Sequence, residues 1–192
     1  MTASLVALTI ATSLVVAVAM EAWAALLHGR VWHRVLWPVH ASHHRRRRGT
    51  FETNDLLSAL HAPIAIGLVV HGCQEAPGAT RALTLGAGYG MTLFGLAYIV
   101  CHDGFVHRRL PVRFLQRFSY FARVARAHRA HHALGGPPYG FFAAPFTTKV
   151  SAHGRARARF GDPTATAARA ASSAERRRTR WGGGRRRRGG SG

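Results

Sequence analysis

Two five-residue stretches share one pattern: His40-Ala-Ser-His43-His44 and His128-Arg-Ala-His131-His132. Each follows a second paired motif, His28-x4-His33 and His102-x4-His107, so the same two motifs recur in the same order. Ten of the 13 histidines fall in this duplicated set. In an α-helix, residues i, i+3 and i+4 share a face, so His-x-x-His-His aims three imidazoles one way. His-x4-His does not fit that face, because five residues overshoot a full turn by about 140°. The spacing therefore places these pairs at helix ends or on bends. Imidazoles gathered in a dry pocket need partners, since an unpaired polar group there costs on the order of a few kcal/mol. Neutral imidazole is the commonest metal ligand. Ten are too many for one tetrahedral ion, so two metals are implied. The spacing does not choose among Zn, Cu, Fe and Ni, and the His-Glu-x-x-His signature of zinc proteases is absent. His61, His71 and His153 stand alone and read as surface or satisfied core residues.

The elements that must bring these motifs together are apolar. The chain has 192 residues, of which 47% are hydrophobic, yet its formal charge is +20 from 27 Lys+Arg against 7 Asp+Glu. Charge and hydrophobicity are segregated. Ala3–Leu27 carries one charge, Glu21, and is long enough to cross a bilayer core of about 30 Å as a helix. A signal peptide fits poorly, because no basic region precedes the run and the run is too long. Ala82–Cys101 carries no charge, and its Gly86-x-x-x-Gly90 spacing suits close helix packing in a membrane or is incidental. Leu56–Val70 is a short, marginal span with Pro63 near its start; a fourth crossing or a re-entrant segment stays open. Arg30, Arg34 and Arg45 to Arg48 follow the first span, and arginines return after the third, whereas the loop between them holds Glu75 and Arg81. Lys/Arg excess marks the cytoplasmic side. The expected fold class is thus all-α: an integral-membrane helical bundle with a cytoplasmic, histidine-rich di-metal cap.

The stretches "MEAWAALLHGRVWH", "HASHH", "FETNDL", "HDGFVHRRLP", "AHRAHHA" and "YGFFAAP" run in order from Met20 to Pro145. This pattern resembles the membrane-bound non-haem di-iron family of fatty acid hydroxylases, desaturases and related oxygenases, and within it the bacterial carotene hydroxylase branch. The resemblance implies hydroxylation of carbon 3 of β-ionone rings, converting β-carotene to β-cryptoxanthin and then zeaxanthin. It implies two iron ions, molecular oxygen and electrons from a reduced ferredoxin-type carrier. It also implies His28, His33, His40, His43, His44, His102, His107, His128, His131 and His132 as ligands, in a bacterial inner membrane. Other readings are a carotene ketolase or a fatty acid or lipid hydroxylase on the same scaffold; "HDGFVH" argues for the hydroxylase branch. A non-enzymatic membrane metal-binding protein would carry ligand residues along its spans, and the third span has none.

Metal-bound histidine usually donates its other N–H to a carboxylate or carbonyl. Glu21 stands two helical turns before His28, and a carboxylate inside a span is a functional candidate. Asp103 follows His102 directly. Glu52, Asn54 and Asp55 match the family's acidic stretch, although Asn54 or Asp55 would also suit a helix N-cap before Leu56. Trp23, Trp32 and Trp37 suit an interfacial belt in preference to carotene contact, and Phe94, Tyr98 and Phe105 are candidates for a ring pocket. Cys73 and Cys101 read as free thiols.

Two segments follow: a hydroxylase-like domain over 1–150 and an Arg/Gly/Ala-rich tail over 151–192 that cannot bury a core. The tail would bind anionic lipid, bind nucleic acid, or reflect a shifted reading frame; no nucleic-acid partner is expected from the rest. Both motif pairs can serve one centre only if the chain from Leu56 to Cys101 crosses the bilayer an even number of times or enters without crossing. Reporter fusions at Gly49, Ala76 and Val150 should therefore report cytoplasmic, external and cytoplasmic positions. A cytoplasmic signal at Ala76 with an external one at Val150 refutes a shared site.

Overall fold

A computed structural model describes residues 2–45 and 49–147. The tail assigned to 151–192 lies outside them. Every described element is helical, and no strand occurs among the described residues. Three helices are long and apolar enough to cross a membrane: Ala3–Trp32, Asp55–Gln74 and Ala79–Val106. Helix α1 spans Ala3–Leu27 and opens at Thr2, whose hydroxyl accepts from the Leu5 N–H. The short α2, Trp37–His40, follows it. The second span is longer than Leu56–Val70 and is bent: α3 covers Asp55–Ala59 and α4 covers Ala62–Gln74. Pro63 sits in the first turn of α4, where its missing N–H would otherwise extend the ladder back, so the bend falls at Leu60 and His61. Helix α5 is Ala79–Tyr98. Helix α6, Ser119–Leu134, ends at Gly135, whose positive φ of 71° turns the chain while its N–H donates to the His131 carbonyl at 2.7 Å. The four-residue α7 is Ala144–Thr147.

In lipid there is little hydrophobic force between helices, so association rests on close packing through small residues. Helix α5 supplies them on two faces. A methyl added at Gly86 would lie 2.6 Å from Thr12 and 2.8 Å from the Thr9 carbonyl; at Gly90 it would lie 2.5 Å from the Ser13 carbonyl and 2.7 Å from Val16. The Gly86-x-x-x-Gly90 pair is therefore a contact surface with α1. The register advances together along both helices, so α1 and α5 run parallel and end on the same side. Against α4 the register reverses, with Gly88 meeting Ala65 and Val69, and Gly72 meeting Leu85. The segment Asp55–Val106 is a hairpin, and the two histidine-bearing ends emerge side by side. Three hydroxyl groups inside the spans bond back to their own helix: Thr9, Ser13 and Thr92 donate to carbonyls four residues back at 2.8–2.9 Å.

Gly90→Ala should lower the thermal midpoint in detergent, by an overpacking cost of about 1–3 kcal/mol, because the obstacle is a backbone carbonyl. Gly67→Ala, where nothing lies within 4 Å, should leave the midpoint unchanged or raise it. Equal effects of the two substitutions would show that α1 and α5 do not pack through this face.

Candidate metal centre

Each His-x4-His pair lies where a span changes pitch. After Leu27 the backbone continues as a π-helical turn, His28–Trp32, and the His33 N–H donates to the His28 carbonyl at 3.0 Å. After Tyr98 the same happens over Ile99–Val106, with the His107 N–H donating to the His102 carbonyl at 2.9 Å. An i→i+5 turn brings residues five apart into alignment, which an α-helix cannot do, and such turns are frequent at functional sites. The expected helix-end location holds, and the mismatch is absorbed by π-helical pitch rather than a kink.

The two His-x-x-His-His motifs differ in backbone. His128, His131 and His132 share one face of α6, whereas His40 ends α2 and His43 and His44 lie in the turn beyond it. All ten imidazoles meet. His28, His33, His40, His44 and His131 form one group, and His43, His102, His107 and His128 form a second; within each, the candidate ligand atoms lie within 4.8 Å of one another. Each His-x-x-His-His motif straddles both groups, whereas each His-x4-His pair stays within one. His132 lies between them, its ring stacked on His44 at 4.4 Å and 4.5 Å from that of His128. Its Nε2 is buried without a hydrogen-bond partner.

The tautomers follow from the outward-facing nitrogens. Nδ1 of His28 donates to the Tyr139 carbonyl at 2.8 Å, and that of His40 to Asn54 Oδ1 at 2.7 Å. Nδ1 of His43 donates to Glu52 at 3.3 Å, that of His102 to Asp103 at 2.7 Å, and that of His131 to the Gly136 carbonyl at 2.6 Å. With the proton on Nδ1, each Nε2 presents a lone pair inward. Yet Nε2 of His28 and His40 approach to 3.1 Å, and those of His43 and His102 to 3.2 Å. Facing lone pairs at that distance need a positive charge between them. Burial, with repulsion from neighbouring imidazoles, lowers His40 to about 4 and His44 to about 3. Burial likewise lowers His107 to about 3 and His131 to about 4, and it lowers His132 and His128 as well. At neutral pH these rings carry no second proton, so the charge that fits is a metal cation. Two groups and an orphaned Nε2 fit two ions.

The acidic and amide candidates part company here. Asn54 occupies the N-cap position of α3 but makes no cap bond; its side chain serves His40. Asp103 serves His102. Asp55 accepts from the Glu52 N–H at 3.0 Å and from Arg109 at 2.9 Å, and Arg109 also pairs with Glu52 at 3.1 Å. Arg109 thus braces the carboxylate that holds His43, and it stands in "HRRLP" without a spacing signal to mark it. The hydrogen bond from His43 holds Glu52 below the usual carboxylate range. Glu21 contacts no imidazole among the described residues; its Oε1 accepts from the Phe141 and Ala143 N–H groups. The carbonyls of Gly136 and Tyr139 are backbone groups, which residue types cannot advertise. Trp23 and Trp37 are exposed as a belt would be, but Trp32 is buried, its ring 5.7 Å from that of His28. His61 is not solitary: it accepts from Trp23 Nε1 at 2.9 Å. His71 pairs with Glu75 at the far end of α4, and His153 lies outside the described residues. Cys73 and Cys101 are free thiols.

Beside the imidazoles lies a cavity of about 550 Å³, within the usual range for ligand sites. Met20 and Ala24 of α1, Ile66 of α4, and Met91 and Phe94 of α5 give it apolar walls among the spans. It also reaches His28 and His128, one imidazole from each group, and Asp55, Asp103 and Arg109 add a charged patch to an otherwise apolar lining. Tyr98 lines it and stacks on His102 at 4.3 Å, whereas Phe105 is buried away from it.

Residues 13–148 match the model of the fatty acid hydroxylase family. The chain is 40% identical over 147 residues to a beta-carotene hydroxylase of Pantoea ananas, covering 74% of this chain and 81% of that one. It is 45% identical over 139 residues to beta-carotene hydroxylase 1 of Capsicum annuum and to beta-carotene 3-hydroxylase 1 of Arabidopsis thaliana, covering 71% of this chain and 44% of each of theirs. The chain therefore spans less than half the length of these plant relatives. No solved structure matches it.

Lowered imidazole pKa values set a sign for pH dependence. An unfolded chain takes up protons near 6.5, the folded one only toward 4 or below. Stability of the metal-free protein is fully present above 6.5 and should fall as pH drops through this window, read as the thermal midpoint in detergent. A midpoint that rises or stays level from 6.5 to 4 would contradict the buried neutral cluster.

Proposed function

The chain belongs to the fatty acid hydroxylase family, and we propose that it is a membrane oxygenase hydroxylating carbon 3 of β-ionone rings, taking β-carotene to β-cryptoxanthin and zeaxanthin. The observation that carries this reading is the apolar cavity, which joins the membrane-spanning helices to one imidazole of each histidine group. A carotene is wholly apolar and resides in the bilayer, so such a cavity admits one ring while the polyene stays among the spans. The names of the relatives support a carotene rather than an acyl chain as substrate.

In this reading the ten paired histidines hold two irons, which when bound activate molecular oxygen and supply the oxidising power for an unactivated C–H bond. One oxygen atom enters the ring, and the other leaves as water with two electrons and two protons. The chain's own part is positioning. Glu52 and Asp103 keep the Nδ1 protons of His43 and His102 in place, which leaves each Nε2 free to bind metal. Tyr98, Phe94 and Trp32 give the ring a water-poor wall. Electrons come from a reduced ferredoxin-type carrier. Arg123, Arg126 and Arg129 are exposed on α6, on the side away from its histidines, and would attract an acidic protein. The Arg distribution supports a cytoplasmic cap in a bacterial inner membrane.

Expression beside a β-carotene pathway, with chromatography of the pigments, tests the reaction. Mono- and dihydroxylated products are expected, and the purified protein should carry two irons. Ketones, or unchanged carotene with hydroxylated acyl chains, would replace this reading with a ketolase or lipid hydroxylase. Alanine at any of the ten paired histidines should remove nearly all product, whereas His71→Ala should be mild. Full activity in two or more of the ten would show the ligand set to be wrong.

A further inference from the structure

The geometry points to Glu21 as a positioning residue for one metal site only, acting through the strap 136–143. This rests on the metal-binding reading above. A carboxylate within a membrane-spanning helix is costly to keep without partners. Glu21 Oε1 has two: the Phe141 N–H at 2.7 Å and the Ala143 N–H at 2.8 Å, short bonds of the charge-assisted kind. The strap approaches closely because Gly140 has no side chain; a methyl there would lie 2.9 Å from Oε1. Two turns further along the same span, in the π-helical turn, His28 Nδ1 donates to the strap at the Tyr139 carbonyl. Gly29 makes the room, since a methyl on it would lie 2.6 Å from the Tyr139 ring. Near its start, the strap accepts from His131 Nδ1 through the Gly136 carbonyl.

One peptide segment therefore fixes the tautomer and orientation of two imidazoles in the five-histidine group. Glu21 pins that segment to the helix that carries His28. The second group takes its hydrogen bonds elsewhere: His43 and His102 donate to the side chains of Glu52 and Asp103, and the strap meets this group only through the Phe141 ring, edge-on to His102 and His128 at 5.3 and 5.6 Å, which fixes no tautomer. Loosening the strap should thus weaken the His28/His33/His40/His44/His131 site and spare the other. The strap has an independent anchor in Tyr120, whose hydroxyl donates to the Phe142 carbonyl at 2.8 Å, so its loss from Glu21 need not unfold it.

The test is cobalt(II) titration of the full-length, metal-stripped protein in detergent, since imidazole accepts cobalt. Metal per chain, visible absorption and thermal midpoint are read for the wild type, Glu21→Ala, Glu21→Gln and Gly140→Ala. The wild type should bind two cobalt ions. Glu21→Ala should keep one at wild-type affinity and weaken the other about 10–100-fold, the usual effect of removing an outer partner. Glu21→Gln keeps an oxygen for the two N–H groups and should stay within about threefold of the wild type. Gly140→Ala leaves the carboxylate but crowds the clasp, and should weaken the same site as Glu21→Ala; this keeps the test open should Glu21→Ala fail to fold. Two ions bound with wild-type affinity and spectrum in both Glu21→Ala and Gly140→Ala would overturn the proposal. So would equal weakening of both sites with a lowered midpoint, which marks a merely structural role. A wild type that binds no cobalt would instead remove the metal reading beneath it.

Discussion

Neutral imidazoles with their lone pairs turned toward one another in a dry interior repel unless a cation lies among them. That constraint organises the cap. It requires the Nδ1 protons to be held from outside, and five of the ten rings have an oxygen placed for it: two carboxylates, one amide and two peptide carbonyls. It also requires burial, because water would solvate each Nε2 separately. His28, His40, His43, His102, His128 and His131 are all buried. Polar surroundings outside and bare nitrogens inside are the arrangement that favours metal over proton.

The bilayer imposes the second condition. Ligands that come from both ends of a membrane hairpin must arrive on one side at matching depth. Helices α1 and α5 meet this by running parallel in contact, with Gly86 and Gly90 allowing the backbones close approach. The depth is then set within each helix, where both spans pass into π-helical pitch as the histidines begin. The widened turn keeps His28 with His33, and His102 with His107, turned toward the centre. The cavity lies beside the same imidazoles, with Met20, Ile66 and Met91 of the spans among its lining.

Much of this is set by residue type alone. The duplicated histidine motifs and the three apolar runs determine that the protein is helical, carries membrane-length spans and gathers imidazoles of a kind that suits metal, because hydropathy and ligand chemistry are properties of individual side chains. Tertiary structure decided the rest. The division into two groups that cut across the His-x-x-His-His motifs depends on how α2, α6 and the π-helical turns face one another, which spacing along one helix cannot express. Trp32 was drawn from the interface into the interior by its position inside the π-helical turn. Asn54 was diverted from capping α3 to holding His40 because the fold brings that ring within reach. Glu21 was aimed at a peptide strap some 120 residues away, and the carbonyls of Gly136 and Tyr139 came to accept from His131 and His28 only through that strap. Backbone oxygens are the same in every residue, so their role comes into being with the fold.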